Sequence, residues 1–384
     1  MTVPLVPTYA HKFVLTASIL FATLSAFADQ NWVAQPLYTL RPETQAWLTT
    51  SPKGERYVAR IRNERGQNVW SIFATANGKK MLDLQLPNPG WSDEYQMPSW
   101  SPDGSQIALL SENKAHFFDT KTGERFRVIY SEKQPVERII WHPDGQTVAM
   151  VQPELTRFYN LRQKAFTGSI EGDQKYCPFA WSPDGRYLTT CVKGLSGKAL
   201  KIRNVKSGVE KMIFDLDTSH TPLVRWSPDS KRIFIHSVDG APRVLDVESD
   251  VLMKIDQYHF ISNAQWSTDG RRLLYYLPTN VSTCGGCQDQ PKRVSIWNDT
   301  YKLERLTFET DVNFASFLPD NVSILTSHRK YGEISDSITR IWQNGEVVFE
   351  SQDAQLAPRV VLAEVNGVLY ILNRSGWVYR WQKK

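Results

Sequence analysis

Cysteine is scarce, at four in 384 residues, too few for a small disulfide-dense scaffold and unnecessary for a chain long enough to bury a sizeable core. Charge of neither sign dominates. Lys and Arg number 45 against 40 Asp and Glu, a formal net of +5, which makes no strongly basic domain and gives no electrostatic case for a nucleic-acid partner. Long apolar runs are rare too. Only Phe13 to Phe27 runs 15 residues without a charge, short of the roughly 20 that a membrane-spanning helix needs. Beyond it no segment reads as a long helix. Signatures of chemistry are equally thin. There is no G-x-S-x-G elbow, Gly194-Leu195-Ser196-Gly197 having the wrong spacing, and the seven histidines show no short metal-binding pattern. No catalytic residue, metal ligand or cofactor is therefore assigned.

What is present begins with the first 28 residues. Lys12 is the only cation of the leading segment, the apolar stretch follows, and Ala26-Phe27-Ala28 supplies small residues before Asp29. This is the layout of a secretory signal peptide. Residues 1–28 are expected to be a cleaved signal peptide, or an uncleaved N-terminal anchor flanked by Tyr9 and His11, with residues 29–384 forming one domain outside the cytoplasm.

That domain is a repeat. Trp100-Ser101-Pro102-Asp103-Gly104, Trp141-His142-Pro143-Asp144-Gly145, Trp181-Ser182-Pro183-Asp184-Gly185, Trp226-Ser227-Pro228-Asp229-Ser230 and Trp266-Ser267-Thr268-Asp269-Gly270 are five copies of one phrase. Ser51-Pro52-Lys53-Gly54 and Phe317-Leu318-Pro319-Asp320-Asn321 are weaker copies. The spacings at the proline position, 50, 41, 40, 45, 40 and 51 residues, are those of four-stranded propeller blades. Each phrase suits a hairpin turn, with Pro presetting φ, Asp bonding the backbone ahead and Gly or Asn taking positive φ. Strand-forming runs flank it, such as Arg138-Ile139-Ile140-Trp141 and Gln106-Ile107-Ala108-Leu109-Leu110. The fold class is all-β, a propeller. Three strands near the C-terminus and Pro36 to Leu40 near the N-terminus make one further blade, so eight blades are expected, with the ring closed by both chain ends. Seven is the alternative, if the C-terminal hairpin only caps the blade before it.

The W-S-P-D-G phrase followed by an apolar strand resembles the TolB-like (PD40, WD40-like) propeller repeat over essentially all of residues 29–384. The resemblance implies a periplasmic or cell-envelope propeller, as in the sensory halves of CadC-like membrane regulators and the non-catalytic domain of prolyl oligopeptidases. The repeated tryptophans could form an aromatic ligand belt, and the repeated aspartates a metal ring. Their recurrence in phase with the turn assigns them instead to blade packing and turn chemistry.

Two cysteine pairs remain. Cys177 and Cys191 are centred on Asp184, so they face each other across a hairpin as a disulfide or as two buried thiols. Cys284-Gly285-Gly286-Cys287 lies in an insertion and reads as a loop disulfide, part of a metal site, or a redox pair; Gln288 stands where a c-type haem motif needs His.

Insertions relative to the repeat cluster on the face opposite the P-D-G turns: residues 87–96, 193–198, 278–291 and 329–336. Clustered loops on a rigid scaffold mark a recognition surface. The candidate binding residues are Trp91, Asp93, Glu94, Tyr95, His328, Arg329, Lys330 and Tyr331, with the Cys284/Cys287 loop beside them. The expected function is an exported, non-enzymatic propeller holding a protein or cell-envelope component, periplasmic or inner-membrane anchored. Two alternatives stand: a periplasmic sensory domain of the CadC type, and a hydrolase or lyase using the central channel, for which His220, His259 and His328 would be inspected first.

Overall fold

A computed structural model describes residues 32–383 apart from 41–47, 64, 87–96, 131–133, 173–176, 194–196, 218–222, 238–240, 257–260, 262, 277–292, 301–302, 308–310, 319, 330–336, 366 and 374. Residues 1–28 lie outside the described residues. The chain forms eight four-stranded antiparallel sheets, each one blade, with strands a to d running from the innermost to the outermost. Blade 1 spans Leu48–Leu84, blade 2 Ser99–Tyr130, blade 3 Arg138–Glu171, blade 4 Ala180–Asp217, blade 5 Leu223–Lys254, blade 6 Asn263–Thr307 and blade 7 Asp311–Ser351. Blade 8 takes its inner three strands from Pro358–Val365, Val368–Asn373 and Trp377–Lys383, and its outer strand from Trp32–Thr39. Trp32 pairs with Lys383 and Thr39 with Trp377, so the two chain ends close one sheet. Eight blades and this closure are as expected; the C-terminal hairpin is no mere cap. Pro36, which lacks an amide donor, sits in that outer strand beside the register shift between Pro36 and Tyr38, a position an edge strand tolerates.

Adjacent blades bury apolar side chains between their faces. Among the described residues the core is eight separate clusters, one for each pair of neighbouring blades. The period-2 alternation explains this: Ile233 and Ile235 pack toward blade 4, while Phe234 packs toward blade 6.

The repeated tryptophans bridge blades. Trp141 Nε1 donates to the Ser99 carbonyl of the preceding blade at 3.0 Å, Trp266 Nε1 to Arg225 at 3.0 Å, and Trp100 Nε1 to Thr49 at 3.4 Å. Each of these three indoles therefore fills the cleft and satisfies a backbone acceptor, whereas the indole nitrogens of Trp181 and Trp226 are buried without one. The repeated aspartates close their own turns. Asp103 Oδ1 accepts from Ser101 Oγ at 2.6 Å and from the Ser105 amide at 3.0 Å, and Asp184, Asp229 and Asp269 repeat the pattern. These bonds hold the carboxyls of Asp103, Asp184 and Asp269 below their ordinary range against the opposing effect of burial.

Neighbouring turns are also stitched together. Arg56 Nη2 donates to the Gly104 carbonyl at 2.8 Å, and His142 Nε2 lies 3.2 Å from the Gly185 carbonyl. In two blades the left-handed position of the turn is not glycine: Ser230 has φ 62° and Asn321 φ 55°. Both side chains reach the preceding turn. Ser230 Oγ accepts from the Asp184 amide at 3.0 Å, and Asn321 Oδ1 accepts from the Thr268 amide at 2.8 Å.

Candidate functional site

Strand direction decides which face carries the loops. The P-D-G turns join strands a and b on one side. The b-to-c and d-to-a connections all emerge on the other. Residues 87–96 join Leu84 of blade 1 to Ser99 of blade 2, 277–292 join Tyr276 to Arg293, and 330–336 join Arg329 to Ser337. Three of the four expected insertions thus leave from a single face. The fourth, at 193–198, is largely absorbed: Tyr187–Lys193 and Gly197–Asn204 extend their ladder until Lys193 pairs with Lys198.

Trp91, Asp93, Glu94, Tyr95, Lys330, Tyr331, Cys284 and Cys287 fall outside the described residues, as do His220 and His259. Arg329 ends strand b of blade 7, its backbone paired with Asp311 and Ser337. His328, one residue earlier, is buried at 2 % exposure. Burial, with the Arg340 charge nearby, holds its imidazole down at about 4, against a smaller opposing effect of Glu350.

The described stems are cross-linked by a buried carboxylate. Asp256, whose side chain is 1 % exposed, begins the connection from blade 5 to blade 6. Its Oδ2 accepts from Tyr275 Oη at 3.0 Å and from Arg293 Nη2 at 3.3 Å, and its Oδ1 from Arg305 Nη2 at 3.3 Å. Tyr275 lies one residue before the strand end from which segment 277–292 departs and Arg293 begins the strand to which it returns, so one buried carboxylate ties together the two strands that flank it. Burial and the Asp256 carboxylate push the Tyr275 hydroxyl far above its ordinary value. No sequence motif announced this cluster, because its members lie on a linker and three separate strands. Its legible trace was the pair of stem residues Tyr275 and Arg293 flanking an insertion.

A disulfide joins Cys177 to Cys191 with Cα atoms 5.6 Å apart. The register of blade 4 pairs Ala180 with Thr189 and Trp181 with Leu188, which is one residue out of step with direct Cys177–Cys191 pairing. A tight turn absorbs the difference: the Phe179 amide bonds the Cys177 carbonyl at 2.8 Å, and Thr189 Oγ1 donates to the Pro178 carbonyl at 2.7 Å. Arg138 Nη2 from blade 3 donates to the same Cys177 carbonyl at 3.2 Å. Both cysteines belong to the buried cluster between blades 4 and 5. Among the described residues no group of three or more His, Cys, Asp or Glu is arranged to hold a metal ion.

Comparison with known proteins places these features in context. Residues 99–246 match the family described as eukaryotic translation initiation factor eIF2A. A curated relative, a component of eukaryotic translation initiation factor 3 from Culex quinquefasciatus, is 27% identical over 106 residues, covering 26% of this chain and 15% of the relative. The match therefore spans a small part of that protein's length. Among solved structures, a eukaryotic initiation factor aligns with TM-score 0.56 at 16% identity, covering 79% of this chain and 77% of its own. The C-terminal WD40 domain of Sif2 aligns with TM-score 0.57 at 13% identity, covering 92% and 99%. The chain is a WD40-like propeller. The matching family is eIF2A and not the TolB-like repeat, so that finer assignment is without support. The periplasmic location is overturned by the same matches: relatives that are eukaryotic translation initiation factors point to a cytosolic protein. A cell-envelope partner loses its support with it.

Proposed function

We propose that the chain is a non-enzymatic protein-binding propeller, acting as one component of a larger assembly through the face that carries segments 87–96, 277–292 and 330–336. One observation carries this reading: three insertions leave the ring on one side, and the stems of 277–292 are fixed by a single buried carboxylate. A rigid base with variable loops is the arrangement by which scaffolds present binding surfaces. The named role of one relative as a component of a multi-chain initiation factor supports a partner that is a protein. The proposed binding residues are Trp91, Asp93, Glu94, Tyr95, His328, Arg329, Lys330 and Tyr331.

The test is crosslinked affinity capture of the full chain, comparing the parent with Arg329→Glu/Lys330→Glu and with a chain in which residues 277–292 are replaced by a Gly-Ser linker. Loss of a reproducible partner in both, at unchanged unfolding midpoint, is expected. Undiminished capture refutes the proposal. Intact mass of the recovered chain reads whether residues 1–28 are absent, as the signal-peptide expectation requires.

A further inference from the structure

A propeller leaves the outer edge of every blade open, and natural sheets guard such edges with interior charge, proline or brevity. Most outer strands here are guarded. Lys80–Leu84 carries Asp83, Arg125–Tyr130 carries Arg127, Glu210–Asp217 carries Asp215, Leu303–Thr307 carries Glu304 and Arg305, Glu346–Ser351 carries Glu350, and Trp32–Thr39 carries Pro36. Val251–Lys254 is only four residues long. The outer strand of blade 3, Ala165–Glu171, has no interior charge, no proline and no brevity to guard it, and carries only the register shift between Phe158 and Tyr159 that leaves Thr167 outside the ladder. Its first six residues, Ala-Phe-Thr-Gly-Ser-Ile, are uncharged and free of proline, and none of its seven residues is buried.

Its surroundings are cationic. The two outer strands and connecting turn of blade 2, residues 114–130, and those of blade 3, residues 155–171, together hold seven Lys or Arg against three Asp or Glu. That net +4 compares with +5 for the whole chain. Each of the two blades thus contributes +2, as does the corresponding part of blade 4, residues 197–217, whereas those of blades 5 and 7, residues 243–254 and 337–351, are each net negative by one. Three exposed aromatic rings stand in the same sector, Phe126, Tyr130 and Phe166. Two already hold a cation: Arg157 Cζ lies 3.4 Å from the Phe166 ring centroid and Lys114 Nζ 5.0 Å from that of Tyr130. Gly168 offers no obstacle, since even an added Cβ would only touch Phe158 at 3.7 Å.

We propose that the outer edge of Ala165–Glu171 is a strand-addition site for an extended, acidic segment of a partner polypeptide. Main-chain bonds to the open edge supply affinity, and alternate carboxylates of the incoming strand meet Arg157, Arg162 and Lys164. An open strand edge recognises a peptide backbone, which a nucleic acid does not have, and the rings nearest it carry a cation on one face. This surface is distinct from the loop-bearing face and its test does not depend on that reading.

The experiment uses the full chain and a labelled eight-residue peptide alternating Glu and Thr, followed by fluorescence anisotropy. Two N-methylated forms are compared, one blocking the odd amides and one the even. Strand addition uses one set only, so one form loses at least about tenfold in affinity and the other stays within about twofold. Arg162→Glu/Lys164→Glu weakens the unmodified peptide about tenfold. Equal binding of the two methylated forms overturns the proposal, because charge alone would then account for it. So does displacement of the peptide by an eight-nucleotide single-stranded RNA that binds more tightly, or a dimer in sedimentation that the peptide fails to dissociate.

Discussion

Replacing glycine by alanine at the same turn position in two consecutive blades separates backbone strain from steric conflict. Gly145 and Gly185 have nearly the same conformation, φ +68° and +73°. A Cβ at Gly145 would meet nothing within 4 Å, whereas one at Gly185 would lie 2.7 Å from both Cε1 and Nε2 of His142. That ring cannot swing aside freely. It packs edge-on against Trp181 with centroids 4.6 Å apart, and its Nε2 lies 3.2 Å from the Gly185 carbonyl. Gly145→Ala should therefore cost only the left-handed conformation, about 1 kcal/mol after the smaller entropy of the unfolded chain is allowed for. Gly185→Ala adds overpacking of about 1 to 3 kcal/mol. In a His142→Ser background, which restores the residue found at this position in blades 2, 4, 5 and 6, the Gly185→Ala cost should fall back to the Gly145→Ala value. The assay is urea unfolding followed by tryptophan fluorescence, with the four chains of the His142/Gly185 cycle measured together. Equal losses at the two glycines, or a Gly185→Ala loss unchanged by His142→Ser, would refute the reasoning.

Trp141→Phe leaves the Ser99 carbonyl without its indole donor, while Trp181→Phe removes an indole nitrogen that has no hydrogen-bond partner. The first should cost about 1 kcal/mol more than the second by the same unfolding assay. The Cys177–Cys191 bond closes a separation of 14 residues and should contribute about 3 kcal/mol; in a Cys284→Ser/Cys287→Ser background, reductant should lower the midpoint and leave the chain that also carries Cys177→Ala/Cys191→Ala unmoved. His328, held at about 4 in the folded chain by burial, returns to about 6.5 when unfolded. The unfolded chain binds the extra proton between those values. Its contribution is complete above pH 6.5 and is lost as pH falls toward 4, a change of about 3 kcal/mol. His328→Gln should flatten the difference between midpoints measured at pH 7 and pH 4.5.

The ring was legible because its signal is local and recurs. Each turn needs Pro, Asp and a residue tolerant of positive φ within five positions, and each tryptophan follows in phase. Even the closing blade could be inferred, since Pro36 to Leu40 has the apolar alternation of an outer strand. The one-residue register offset at Cys177 was not legible: it depends on the turn at Pro178 and on Thr189, whose hydroxyl ties the strand to it. Nor was the stitching between turns. Ser230 and Asn321 read as degenerate copies of glycine, yet their side chains bond the preceding turn, a contact between residues 46 and 53 positions apart. The Asp256 cluster escaped for the same reason, since Tyr275, Arg293 and Arg305 converge on it only through blade geometry. Location failed differently. The apolar stretch at 13–27 and the turn phrase both suggested export, while similarity carried by the body of the repeat points to initiation factors.

The pairing of Trp32 with Lys383 has a temporal consequence. Of the strands of this ring, the outer strand of blade 8 leaves the ribosome first and its partner last, 351 residues later. At about 5 to 20 residues per second, synthesis imposes a wait of roughly 20 to 70 s. Throughout that interval Trp32–Thr39 has no sheet to join, and blades 1 to 7 stand as an open arc with an apolar flank at each end. A nascent chain of this kind would depend on chaperones during its synthesis, and would cease to do so with its final strand.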